Sequence, residues 1–113
     1  MQKDDLIRIH HMLDAAKEIQ SFSKGKSRDD LNSDRMLVLS LVKDIEIIGE
    51  AASKIASGLR KHFGDIPRQD IIATRNHLIH AYFDIDLNIV WDTVIKDIPP
   101  LIKGLEKIIS SKE

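Results

Sequence analysis

The sequence predicts an all-α fold, a bundle of four to five helices, on three observations. Apolar residues recur at steps of three and four rather than alternating, only 5 Gly and 3 Pro interrupt the chain, and aromatic residues make up 4% of it. With 113 residues, a single domain spanning 1–113 is expected. A domain of that size buries roughly two-thirds of its unfolded surface, enough for a core.

The first helix is expected from about Asp4 to Phe22. Leu6, Ile9, Leu13, Ala16 and Gln20 follow 3,4 spacing, and Asp4 and Asp5 sit where a helix N-terminus favours acids. "SFSKGKSRDD", 21–30, is small, polar and charged, with Gly25 available as a helix stop, so it reads as a loop or a mobile connection. Asn32, Ser33 or Asp34 can cap the next and longest helix, whose stripe is Leu37, Leu41, Ile45, Ile48, Ala52, Ile55 and Leu59. Gly64 and Pro67 are expected to end it. Leu39, Val42 and Ile47 lie off the stripe, which places this helix centrally or at a subunit interface. A third helix is expected from about Arg68, stopped by "FDID", with Asp84 or Asp86 capping the helix after it. Leu87, Trp91, Val94, Ile98, Leu101, Leu105 and Ile108 then keep one rhythm across Pro99 and Pro100. Because proline cannot continue a helix interior, that stretch predicts two short helices in register, or a kink.

Composition excludes several classes of function. Hydrophobic residues at 42% and charged residues at 31% rule out a disordered polymer, and no run reaches the roughly 18 apolar residues of a membrane span. The acidic N-terminus does not read as a secretory signal, so a cytoplasmic protein is expected. With no cysteine there can be no disulfide, thiolate zinc site or cysteine nucleophile. A net charge of -1 argues against a general polyanion binder, and no membrane or DNA partner is expected.

Chemistry concentrates in "RNHLIHAYF", 75–83, which holds two of the five histidines and the single tyrosine. On a helix, Arg75 falls in the middle of an apolar arc formed by Ile71, Ile72, Leu78, Ile79 and Tyr82. A charge there must reach water or be paired. Asn76 and His80 flank the arc, at about 100° and 140° from Arg75, whereas His77 points away. Such a set suits phosphoryl chemistry on RNA without cofactor or metal. A histidine can take the 2'-hydroxyl proton or protonate the leaving 5'-oxygen, and a guanidinium can hold phosphate oxygens as charge builds. The plainer reading is a satisfied polar pair, in which Asp44, between Leu37, Leu41 and Ile48, is the salt-bridge partner of Arg75. Other polar candidates read as surface: His10 and His11 have no carboxylate at metal-ligand spacing, His62 lies in a basic helix end, and Glu46 and Glu50 share an outer face. Trp91 reads as core.

"RNHLIHAY" resembles the Arg, four residues, His, any residue, Tyr motif of the HepT-like toxins, a DUF86 family within the HEPN superfamily. The likeness extends to "IIGEAASKI", 47–55, and "YFDIDLNIVWDTVIKDIPPL", 82–101, although "PRQDIIAT" lacks the tryptophan of many relatives. The resemblance implies an antiparallel HEPN-like bundle that is homodimeric. It implies a metal-independent endoribonuclease, the toxin of a toxin-antitoxin pair. The implied partner is a minimal nucleotidyltransferase antitoxin that silences the toxin by transferring AMP to the motif tyrosine. On this sequence Arg75 and His80 become catalytic, Asn76 supports them, and Tyr82 is the modification site. The alternative is a non-catalytic HEPN module that binds nucleotide or a partner protein.

Overall fold

The computed structural model describes residues 3–55, 72–76 and 84–112. Among these residues every regular element is helical: α1 (Lys3–Ser23), α2 (Asp30–Ser33), α3 (Arg35–Lys54), a helical stretch α4 at 72–76, α5 (Leu87–Asp92) and α6 (Ile98–Lys112). A π-helical turn, Thr93–Asp97, joins α5 to α6. No described helix is long and apolar enough to cross a membrane.

Among the described residues α1 is the helix that packs extensively on two others, α3 and α6. Its buried residues Ile9, Met12, Leu13, Ala15, Ala16 and Ile19 span an arc of about 160°, wide enough for two neighbours. The spacing expected from sequence ran through Leu6, Ile9, Leu13, Ala16 and Gln20, yet Gln20 is exposed and Leu6 half-buried. Met12, Ala15 and Ile19 are buried as well and widen the face to one side of that spacing.

Between α1 and α3 the chain is more ordered than its composition suggests. Gly25 takes a positive φ of 75°, the left-handed stop that glycine allows without strain. The Ser27 amide donates to Asp30 Oδ2 at 2.7 Å, and Arg28 Nε donates to Asn88 Oδ1 at 2.7 Å, which ties the connection to α5. Leu31 anchors the short helix α2 by burial. Asp34 is the cap of α3, accepting from the Leu37 amide at 3.0 Å.

The stripe Leu37, Leu41, Ile45, Ile48, Ala52 and Ile55 is buried as expected. The helix nevertheless ends sooner than its periodicity implies. Ile55 turns to extended backbone (φ -72°, ψ 134°), so the hydrophobic spacing continues after the helix has stopped. Leu59, Gly64 and Pro67 lie outside the described residues. Val42 is buried, whereas Met36, Leu39 and Ile47 remain exposed along the outer face of α3.

Asp86 caps α5, its Oδ1 accepting from the amides of Asn88 at 2.9 Å and Ile89 at 3.2 Å. The π-turn then resolves the conflict between the prolines and the continuous stripe. Pro99 and Pro100 have no N–H to donate four residues back, and their rings crowd the carbonyls there. Widening the helix over Thr93–Asp97, with the Ile98 amide bonded to the Thr93 carbonyl, moves those carbonyls aside. Val94, Ile98, Leu101, Leu105 and Ile108 stay buried in one row, and Trp91 packs against the core from its edge.

Burial separates core from surface on α3. Ile45→Ala, at a fully buried position, should lower unfolding free energy by about 2–5 kcal/mol, and Leu39→Ala by no more than about 0.5 kcal/mol, in urea titrations. Equal losses would contradict this packing.

Candidate functional site

Arg75 and Asn76 belong to the described stretch α4, whereas His77, His80 and Tyr82 lie outside the described residues. Ile72 turns α4 toward the core, and Arg75 follows it onto the flank of α3. The approach is close: a Cβ built on Gly49 would collide with the Cβ of Arg75 and lie 2.7 Å from its Cγ. Only a residue without a side chain permits the aliphatic stem of Arg75 to lie there.

The Arg75 side chain is 17% exposed, and its guanidinium is not left unpaired. Nη2 forms an ion pair with Glu50 Oε2 at 3.1 Å and donates to Ser53 Oγ at 3.4 Å. The Ser53 hydroxyl donates in turn to the Glu50 carbonyl at 2.8 Å, and Lys54 Nζ sits 3.0 Å from Glu50 Oε1. Lys54 foremost, and Arg75 after it, hold the Glu50 carboxyl below its usual range, so it is ionised at neutral pH. Asn76 is exposed beside this cluster.

The carboxylate on Arg75 is therefore Glu50, and Asp44 is not its partner. Six helical residues place Asp44 about 120° around α3 from Glu50, which turns it toward α1. There Asp44 is buried beside Glu18, and its pKa is raised from 3.8 to about 7, first by burial and then by the Glu18 carboxyl. The outer-face reading of Glu50 missed its role because its side chain is half exposed. The signal in the sequence was its neighbour. A glycine inside a helix costs about 1 kcal/mol relative to alanine, and it marks a place where another chain segment comes close.

Glu50 also lines a groove of about 430 Å³ between α1 and α3, with Arg8 and His11 from α1 and Lys43, Glu46, Ile47, Ala51 and Lys54 from α3. His11 is exposed, as expected, but it faces this groove rather than open surface alone. Arg75 is not itself a lining residue of this groove; it is tied to it through Glu50, whose carboxylate both lines the groove and pairs with the guanidinium. A guanidinium so placed can meet an anionic ligand without crossing the core.

Comparison with known proteins bears on this motif. The family model described as "Ribonuclease HepT-like" matches residues 12–108. A Methanocaldococcus jannaschii protein named as a gamma-glutamylcyclotransferase and presumptive RNase is 35% identical over 108 residues. The match takes in 96% of this chain and 49% of that one, so the chain spans about half its length. A presumptive RNase of Caldanaerobacter subterraneus subsp. tengcongensis is 31% identical over 93% of this chain and 94% of its own. The probable ribonuclease HepT of Thermococcus cleftensis is 31% identical over 88% of this chain and 91% of its own. No solved structure matches.

The Asp44 environment predicts a pH dependence. Its carboxyl keeps a proton in the folded chain between pH 3.8 and about 7, where the unfolded chain has lost it. Stability should therefore fall as pH rises through that window and level off above it. Asp44→Asn should remove the slope and raise the urea midpoint at pH 8. A wild-type midpoint that rises between pH 5 and 7 for this residue's sake, with the slope retained in Asp44→Asn, would be the contrary result.

Proposed function

Because the chain belongs to the HepT-like ribonuclease family, we propose that it is a metal-independent endoribonuclease and the toxin of a toxin-antitoxin pair acting in the cytoplasm. The observation that carries this reading is that Arg75, the first residue of the family motif, has its guanidinium held by Glu50, a lining residue of the open groove between α1 and α3.

His80 accepts the proton of a ribose 2'-hydroxyl, or donates one to the departing 5'-oxygen. The 2'-oxygen attacks phosphorus, the bond from phosphorus to the 5'-oxygen breaks, and the products are a 2',3'-cyclic phosphate end and a 5'-hydroxyl end. Arg75 stabilises charge on the non-bridging oxygens, an interaction that strengthens as the transition state forms. Asn76, adjacent in sequence and exposed, is available to the same phosphate. One His and one Arg per chain make a sparse site, which supports a homodimer that brings two motifs to one cleft. The exposed apolar residues Met36, Leu39 and Ile47 on the outer face of α3 supply surface that such an association would cover.

The ion pair of Arg75 with Glu50 favours a second reading, in which Arg75 is purely structural and the chain binds rather than cleaves. The two readings part on purified protein incubated with RNA in excess chelator. The nuclease reading expects cleavage that persists in chelator and falls by at least about a hundredfold in both Arg75→Ala and His80→Ala. Cleavage that requires metal, or that survives both substitutions, rejects the mechanism.

The partner in this proposal is a minimal nucleotidyltransferase that transfers AMP to Tyr82. Tyr82 comes seven residues after Arg75, so a bulky anion attached there would compete with substrate phosphate. Co-expression with that enzyme should add AMP to the wild-type chain and not to Tyr82→Phe, as read by intact-mass spectrometry. Modification elsewhere in the chain would disprove the assignment.

A further inference from the structure

Arg75 can serve a phosphate only through the donors that its neighbours leave. A guanidinium carries five N–H groups, two of them on each terminal nitrogen. Here Nη2 is engaged by α3, in an ion pair with Glu50 Oε2 at 3.1 Å and a hydrogen bond to Ser53 Oγ at 3.4 Å. The Nε group is buried without a partner among the described residues. That leaves Nη1 as the terminal nitrogen free of described bonds.

The groups that hold Nη2 are themselves held. Ser53 gives its own hydrogen to the Glu50 carbonyl at 2.8 Å, so its oxygen is turned to accept. Lys54 fixes the second carboxylate oxygen of Glu50 at 3.0 Å. Gly49 admits the Arg75 stem against the backbone of α3. Four residues of one helical segment thus act on one flexible side chain: stem against Gly49, head against Glu50 and Ser53, and Glu50 braced by Lys54.

We propose that Glu50 is a positioning residue for Arg75, fixing its guanidinium through Nη2 so that Nη1 is presented to an RNA phosphate. The inference rests on the nuclease reading for the identity of the ligand, but not for the geometry. A long side chain fixed before substrate arrives loses less freedom when charge develops on the phosphate, so the benefit falls on the chemical step rather than on binding. Glu50 does not touch the reacting atoms. Its charge is balanced by Lys54, which limits its repulsion of the incoming anion.

The test uses the full chain as wild type, Glu50→Ala, Glu50→Gln and Gly49→Ala, with two independent readouts. In the first, the Arg75 Nε–Hε resonance, assigned through Arg75→Lys, reports whether the side chain is fixed. In the second, kcat and KM are measured on an RNA oligonucleotide, with Tm recorded for each variant. Glu50→Ala should mobilise the Arg75 resonance and lower kcat by about tenfold to a hundredfold while KM changes little. Glu50→Gln keeps an amide oxygen for Nη2 and should restore most of the rate. Gly49→Ala should displace Arg75 and lose rate as Glu50→Ala does. Glu50 is half exposed, so Tm should move little on its substitution, and a rate loss that merely tracks Tm would overturn the proposal. An unchanged resonance, an unchanged kcat or a faster Glu50→Ala enzyme would each overturn it too, the last by showing that the carboxylate obstructs phosphate. If the wild type cleaves no RNA, the nuclease reading fails by itself, and the resonance in Glu50→Ala still decides whether Glu50 fixes Arg75.

Discussion

Two demands meet at Gly49. Helix α3 must present an unbroken apolar stripe to the core, and it must also receive the stem of an arginine on its flank. A side chain at position 49 would meet the Cβ of Arg75, an atom fixed to the backbone of α4, so either the helix or the arginine would have to move. The bare Cα removes that choice. It brings Glu50 and Ser53, about one position and one turn onward, to hydrogen-bonding distance of the guanidinium. Packing and electrostatics are thereby one constraint, since the contact that seats α4 also sets where the charge of Arg75 is held.

The same helix treats its two carboxylates in opposite ways. Asp44 lies under α1, where burial and the Glu18 carboxyl favour its protonated form up to about pH 7. Glu50 stands at the groove, where Lys54 and Arg75 favour the ionised form. Environment decides between them, for the chemistry of the two groups is nearly alike. An arginine paired with Asp44 would have been drawn into the α1–α3 contact and away from the groove. Paired with Glu50, it stays on the flank of α3.

Much of the architecture was legible in the sequence because helical periodicity is a local property. The 3,4 spacing from Leu37 to Ile55 located the buried face of α3, and Asp34 and Asp86 were recognisable caps. What local pattern could not supply was the identity of neighbours. Gln20 fits the spacing of α1 yet is exposed, whereas Met12 and Ile19, off that spacing, are buried where α1 packs on two helices. The row from Leu87 to Ile108 promised continuity and the prolines promised a break, and a π-turn satisfies both. Glu50 read as surface because exposure and pairing are not exclusive, and the partner is 25 residues away in sequence.

The motif itself was readable as a set of residue types, and Arg75 and Asn76 are the part of it that the described structure places. For Arg75 the structure adds a direction. Among the described residues Nη2 is engaged by α3 and Nε is buried, which leaves Nη1 as the nitrogen without a bond. One nitrogen with two N–H groups meets one edge of the phosphate and leaves its other oxygens for further groups, so in the nuclease reading the site is not complete with Arg75 and His80 of one chain. That shortfall gives the proposed dimer a chemical reason, because a second motif supplies the donors that Glu50 and Ser53 withhold from the first.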